Sequence, residues 1–146
     1  MKTPASIAGH PIHPMLVPIA IGCWLFSFAC DLLAMFVGGN TPWPTLSYYT
    51  MVGGIVGALM AAVPGLIDLL SLPAGYTKGV AIKHMSINLL VVAIYVFNAY
   101  LRHGGAPGQG LPFILSVVTI LMLLVSGWLG GKMVYEAGVG VDTPAR

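Results

Sequence analysis

Two His-Pro pairs, in Gly9-His10-Pro11-Ile12-His13-Pro14, stand directly before an apolar segment that covers residues 15–37. A residue that precedes proline is disfavoured in the α conformation, so His10 and His13 are not expected to share a helix face. His13 is the expected N-cap of the first helix, with Pro14 at the first helical position, where its missing N–H does no harm. The pattern predicts two imidazoles in a stiff, extended segment at one membrane surface.

The composition is typical of an integral membrane protein. Of the 146 residues, 58% are hydrophobic and only 7% are charged, whereas about a quarter of the residues in a soluble domain are charged. The formal net charge is +2, and the basic residues stand singly, which excludes the dense basic face of a nucleic-acid-binding protein. No nucleophile–base pattern, phosphate-binding loop or carboxylate pair indicates catalysis, so an enzyme is the least supported class.

Four apolar segments are long enough to cross a bilayer core, which takes about 20 residues. They cover residues 15–37, 48–72, 82–101 and 111–134, with turn-rich loops between them. We expect an all-α fold: a four-helix transmembrane bundle of two helical hairpins, in a single membrane domain over residues 1–146.

The distribution of basic residues predicts the orientation in the membrane. The N-terminal lead, the second loop and the C-terminal tail contain most of them, and short loops rich in Lys and Arg face the cytoplasm. Both termini are therefore expected to be cytoplasmic. The residues on this side are Lys2, Lys78, Lys83, Lys132 and Arg146, against Arg102 alone on the other.

The two hairpins share a weak internal repeat. Each begins with a histidine, His13 or His84, and each has an ionisable residue 18 positions later, Asp31 or Arg102. Five helical turns separate the members of each pair, so Asp31 and Arg102 lie near the opposite membrane surface. Because an unpaired charge there is costly, we predict a structural contact between Asp31 and Arg102; the alternative is that both side chains extend to the headgroups.

The third segment carries a polar stripe at helical spacing, which must face the bundle interior or a wet cavity. For its two asparagines, hydrogen bonds to neighbouring helices are the favoured interpretation. Two pairs of glycines, Gly53 with Gly57 and Gly127 with Gly131, permit close helix packing within one chain or between the chains of an oligomer. The stripe consists of His84, Asn88, Tyr95, Asn98 and Arg102.

The histidines that open the first and third helices are candidate haem ligands. Two neutral imidazoles from different helices can occupy both axial positions of a haem iron, so His13 and His84 are the expected axial pair. Met15 or Met85 is the alternative to one of them. His10 and Lys83 are the further candidate cofactor contacts, with Lys83 placed to meet a propionate.

Two other interpretations of the same region remain open. His10, His13, His84 and Asp68 together offer three nitrogens and one carboxylate, a set that suits zinc or non-haem iron. Alternatively, each histidine has a structural role, in which it caps a helix or binds a lipid headgroup. For any single histidine the structural role is favoured.

The stretch Gly9-His10-Pro11-Ile12-His13-Pro14-Met15-Leu16-Val17-Pro18 resembles the opening motif of a bacterial membrane family, domain of unknown function 2231. The resemblance implies a four-helix membrane domain in the inner membrane of a bacterium. Some members of that family are joined to Rieske-type iron–sulfur domains, which favours electron transfer. The family often has a histidine at the position of Ala137; if that histidine is a ligand in relatives, this chain lacks it. Further matching motifs are Asp31-Leu32-Leu33, Pro64-Gly65-Leu66-Ile67-Asp68, His84 with Asn88, Gly127-Trp128-Leu129-Gly130-Gly131 and Gly138-Val139-Gly140-Val141.

Two functions from different classes follow. The first is a small b-type haem protein, or subunit of a membrane complex, that carries electrons to or from a redox partner. The second is a cofactor-free scaffold, or a protein for permeation of protons or small solutes, whose polar cluster binds water or lipid headgroups.

Overall fold

The computed structural model describes residues 3–38, 40–103 and 108–141. Within them, four helices follow a short antiparallel hairpin in which Ser6 pairs with Pro11. Each helix is long and apolar enough to cross a membrane, which confirms the expected all-α bundle of four spans. The elements are β1 Ser6–Ile7, β2 His10–Pro11, α1 Ile12–Val37, α2 Trp43–Ser71, α3 Tyr76–Arg102 and α4 Leu111–Tyr135.

The N-cap predicted at His13 is wrong. Pro11 is the N-cap of α1, and His13 lies inside the first turn. The N-terminal hairpin explains the earlier start, because the carbonyl of Ala5 accepts the N–H of Ile12 at 2.9 Å. Pro14 is tolerated within the first turn because the first N–H groups of a helix have no partner within it.

Helices α2 and α3 also begin before the predicted segments, at Trp43 and Tyr76. Hydropathy marks only the apolar part of a helix, and both helices continue beyond that part. Pro44 lies in the first turn of α2, and Gly75, with φ of +152°, ends the turn before α3.

The helices pack in cyclic order. The neighbouring pairs are α1–α2, α2–α3, α3–α4 and α1–α4, and the contacts within each hairpin are more extensive than those between hairpins. Helices α1 and α3 therefore lie across the bundle from each other, run in the same direction, and meet through their side chains.

Equivalent residues of the two hairpins meet on this α1–α3 diagonal. Asp31 and Arg102 are 71 positions apart, and the same separation relates Trp24 to Tyr95 and His13 to His84. The rings of Trp24 and Tyr95 stack with centroids 4.4 Å apart and planes at 14°. The weak repeat seen in the sequence thus corresponds to a pseudo-twofold relation between the hairpins.

The mid-bundle core forms around that stack. Trp24 and Tyr95 are buried together with Ala20, Met51 and Val91. The indole N–H of Trp24 donates to the carbonyl of Met51 at 3.2 Å, which satisfies a donor that would otherwise be costly inside a membrane.

Some of the residues from which the orientation is predicted lie outside the described residues. They are Lys2, Arg146 and loop residues 104–107. The cytoplasmic location of both termini therefore stays a prediction. The two ends of the bundle are named here by their contents: the histidine end, with His13 and His84, and the ion-pair end, with Asp31 and Arg102.

The contact between Trp24 and Gly54 yields a stability prediction. A Cβ atom at Gly54 would overlap the indole ring, whereas one at Gly53 would lie at an ordinary 3.7 Å from Sγ of Cys23. Overpacking of a core costs about 1–3 kcal/mol. We expect Gly54→Ala to lower the free energy of unfolding in detergent by about that amount, and Gly53→Ala to leave it nearly unchanged. Equal effects of the two variants would contradict the packing described here.

Candidate functional site at the histidine end

The structure brings His13 and His84 together. Their ring centroids are 6.3 Å apart, and their planes are nearly perpendicular, at 87°. Both side chains are half-buried. The two histidines come from the first turn of α1 and the third turn of α3, which lie on opposite sides of the bundle.

Each imidazole is oriented by the second helix of its own hairpin. Nδ1 of His13 lies 2.8 Å from the carbonyl oxygen of Ala61 in α2. Nδ1 of His84 lies 2.9 Å from the carbonyl oxygen of Ser126 in α4. A carbonyl partner requires Nδ1 to carry a proton, so Nε2 is the acceptor in the neutral form of each ring. Histidines that bind metals are commonly oriented by this type of contact.

Glycines one turn after these carbonyls face the imidazole rings. A Cβ atom at Gly65 would lie 2.7 Å from Nδ1 of His13, and a Cβ at Gly130 would lie 3.4 Å from Cε1 of His84. Any side chain at Gly65 would therefore displace the ring of His13. The two hairpins thus orient their histidines in the same way: a backbone carbonyl contacts Nδ1, and a glycine one turn later leaves room for the ring.

The two histidines differ in the environment of Nε2. The carboxamide nitrogen of Asn88 lies 3.0 Å from Nε2 of His84 and donates to it. Oδ1 of Asn88 in turn accepts a hydrogen bond of 2.9 Å from the hydroxyl of Ser126. Asn88 therefore joins α3 to α4 through Ser126, as expected for an asparagine that forms hydrogen bonds between helices.

The other predicted ligands do not join the histidine pair. Oδ1 of Asp68 accepts the backbone N–H of Ala5 at 2.9 Å and so anchors the N-terminal hairpin. His10 is exposed, and its Nδ1 lies 3.1 Å from the carbonyl oxygen of Ala8. Lys83 is exposed beside His84. Residues 3–38, 40–103 and 108–141 contain no group of three or more His, Cys, Asp or Glu side chains arranged for a metal ion. The predicted four-residue metal site is therefore not assembled.

At the ion-pair end, Asp31 and Arg102 form a two-pronged salt bridge. Nη1 donates to Oδ1 at 2.6 Å and Nη2 donates to Oδ2 at 2.8 Å. Both side chains are at most 2% exposed, so the alternative in which they extend to the headgroups is wrong. The predicted contact is present.

Hydroxyl and amide groups complete the coordination of this salt bridge. Ser47 donates to Oδ1 of Asp31, and Asn98 accepts from Nε of Arg102 at 2.9 Å. The hydroxyl of Ser116 accepts from Nη2 at 3.1 Å. Asn98 also donates to the carbonyl of Pro112 in α4, so its predicted role as an interhelical hydrogen-bonding residue is confirmed.

Glycines have roles that their spacing in the sequence did not reveal. A Cβ atom at Gly108 would overlap the carboxylate of Asp31 and the guanidinium of Arg102, so the backbone at Gly108 lies directly against the ion pair. Of the predicted close-packing glycines, Gly57 lies against Ile19 and the backbone of Ala20, whereas a Cβ at Gly127 would meet open space. Gly57 therefore serves packing within the chain.

The chain belongs to a family of predicted membrane proteins, DUF2231, whose family model matches residues 9–143. The match includes all four helices and both ends of the bundle described above. No curated protein and no solved structure shows significant similarity to the chain.

The buried ion pair yields a second stability prediction. Removal of one partner of a buried pair leaves an uncompensated charge and costs about 3–5 kcal/mol. We expect Asp31→Asn to lower Tm in detergent strongly, and the double variant Asp31→Asn/Arg102→Gln to recover part of the loss because it removes the stranded charge. An unchanged Tm for Asp31→Asn would refute a stabilising role of the pair.

Proposed function

We propose that this member of a family of predicted membrane proteins binds a b-type haem between His13 and His84 and carries electrons in the inner membrane of a bacterium. The observation that supports the proposal is the approach of two imidazoles from opposite helices at one depth of the bundle. Paired axial histidines are one of the ways in which proteins hold haem iron and set its potential.

The separation of the rings suits two ligands on one iron. With metal–nitrogen bonds of about 2 Å, imidazoles on opposite sides of a metal ion have ring centres roughly 6 Å apart. The centroids of His13 and His84 are 6.3 Å apart. Contacts from Nδ1 to carbonyl oxygens orient both rings, so Nε2 is the nitrogen on each ring that would face the iron.

The ring system of a haem would lie between α1 and α3 and extend toward α2 and α4. At this depth the residues of α2 and α4 that face the imidazoles are Gly65 and Gly130. Neither has a side chain, but a Cβ atom at Gly65 would already lie 2.7 Å from Nδ1 of His13. Entry of a haem would therefore require α2 and α4 to move away from the imidazoles.

The shallow position of the site suits electron exchange with a partner at the membrane surface. The exposed Lys83, beside His84, is placed to meet a propionate, and the exposed His10 lies in the N-terminal hairpin that precedes His13. With both termini in the cytoplasm, the site would face that compartment, and a redox protein or a larger membrane complex would be the partner.

A second candidate function is favoured by the contact between Asn88 and Nε2 of His84. Through this contact Nε2 of His84 already has a protein partner, which suits a cofactor-free scaffold or a protein for permeation of protons or small solutes. A non-haem metal ion held by His13 and His84 without Asp68 is a further candidate.

An absorption spectrum tests the haem proposal. Purified from cells supplied with haem precursors, the protein should show a Soret band, with sharp α and β bands after reduction by dithionite. His13→Ala and His84→Ala should each lose the six-coordinate spectrum because one axial ligand is missing. Titration of both variants with hemin should show weaker binding than titration of the parent protein.

His103→Ala is the matched control. His103 directly follows the last residue of α3, at the ion-pair end of the bundle. Its removal should therefore leave the spectrum unchanged. A colourless, iron-free protein that also fails to bind added hemin would refute the haem proposal and support the cofactor-free candidate.

A further inference from the structure

We infer that Asn88 blocks Nε2 of His84, the nitrogen that would bind a metal. The two histidines are therefore not equivalent, and an incoming metal binds His13 first. The block on His84 rests on the contacts alone. The order in which the histidines bind iron rests, in addition, on the haem function proposed above.

The block is built from three groups on α3 and α4. Nδ1 of His84 faces the carbonyl oxygen of Ser126, and Nε2 accepts from Asn88. The hydroxyl of Ser126 donates to the carboxamide oxygen of Asn88 at 2.9 Å, which fixes the amide with its nitrogen toward the imidazole. Since Nε2 has one lone pair in the plane of the ring, His84 cannot bind a metal until the carboxamide turns away.

The other hairpin lacks the block. The residue of α1 that corresponds to Asn88 is Val17, one turn after His13, and valine has no hydrogen-bonding side chain. Within residues 3–38, 40–103 and 108–141, the polar contact of the His13 ring is that of Nδ1 with the carbonyl of Ala61. Nε2 of His13 is therefore the available ligand nitrogen of the pair.

The asymmetry makes ligation stepwise. The first bond forms at His13 and needs no rearrangement of the hydrogen bonds described here. The second forms at His84 and breaks the hydrogen bond from Asn88. Side-chain hydrogen bonds inside membrane proteins are modest, so the penalty corresponds to about a 3- to 20-fold loss of affinity. Such a penalty weakens binding at His84 without preventing it.

The block can be measured without haem. Diethyl pyrocarbonate acylates imidazole nitrogens that have a free lone pair, and mass spectrometry locates the modified histidine. His13 and His84 are both half-buried, so both are partly accessible to the reagent. We expect His13 to react about 3- to 20-fold faster than His84, and Asn88→Val to bring His84 close to the rate of His13.

Val17→Asn is the reciprocal variant. It places a carboxamide one turn after His13, as Asn88 is placed after His84, and should slow the acylation of His13 while leaving His84 unchanged. Asn88→Ala replaces Asn88→Val should the latter not fold. Equal rates of His13 and His84 in the parent protein, or an unchanged rate of His84 in Asn88→Val, would overturn the block.

Titration with hemin then tests the cost that the block adds to haem binding. Asn88→Val should bind hemin about 3- to 20-fold more tightly than the parent protein, and Val17→Asn should bind it more weakly. Equal affinities would refute that cost, and with it the basis for binding at His13 first, but leave the haem site in place. Absence of a Soret band in the parent protein and in both variants would refute the haem function, while the acylation rates would still decide the block on His84.

Discussion

The buried pairing of Asp31 with Arg102 is the constraint on which the rest of the bundle depends. Neither charge is tolerable alone in hydrocarbon, and their two-pronged contact fixes α1 against α3 both in height and in rotation. Two helical turns away, that register brings Trp24 onto Tyr95. Five turns away, it brings His13 beside His84. The geometry of the candidate site is thus set from the opposite end of the protein.

Opposite charges at equivalent positions also determine which hairpin pairs with which. Were two copies of the first hairpin to pack as the two hairpins do here, two carboxylates would meet; two copies of the second would bring two guanidinium groups together. Only the mixed arrangement places Asp31 against Arg102, and it also places the indole of Trp24 against the phenol ring of Tyr95. The backbone at Gly108 can then lie against a pair with no net charge.

The number of helices, the ion pair and the grouping of the two histidines could be predicted from the sequence, because hydropathy, the cost of buried charge and helical periodicity act over a single segment or a single pair. The helix starts at Trp43 and Tyr76 could not, because hydrocarbon length does not limit where a helix begins outside the bilayer. The roles of Gly54, Gly65 and Gly130 were also missed. A glycine in an apolar segment looks the same whether it faces lipid or an aromatic ring, and only the packed structure shows which ring it faces. Asp68 was considered a metal ligand because it lies near the histidine end. Its hydrogen bond from the backbone N–H of Ala5 could not be predicted from that position.

The diagonal of the bundle also bears on function. Its packing layers consist of unlike partners: an acid with a base, an indole with a phenol. Unlike partners suit a direct contact: the acid accepts the hydrogen bonds that the base donates. The histidine layer is different, because the same residue stands on both sides, and each is oriented by a carbonyl with a glycine one turn later. Two neutral imidazoles of the same tautomer gain little from each other, but both can donate a lone pair to something between them. Asn88 occupies one of those lone pairs in this structure, and its counterpart Val17 leaves the other available.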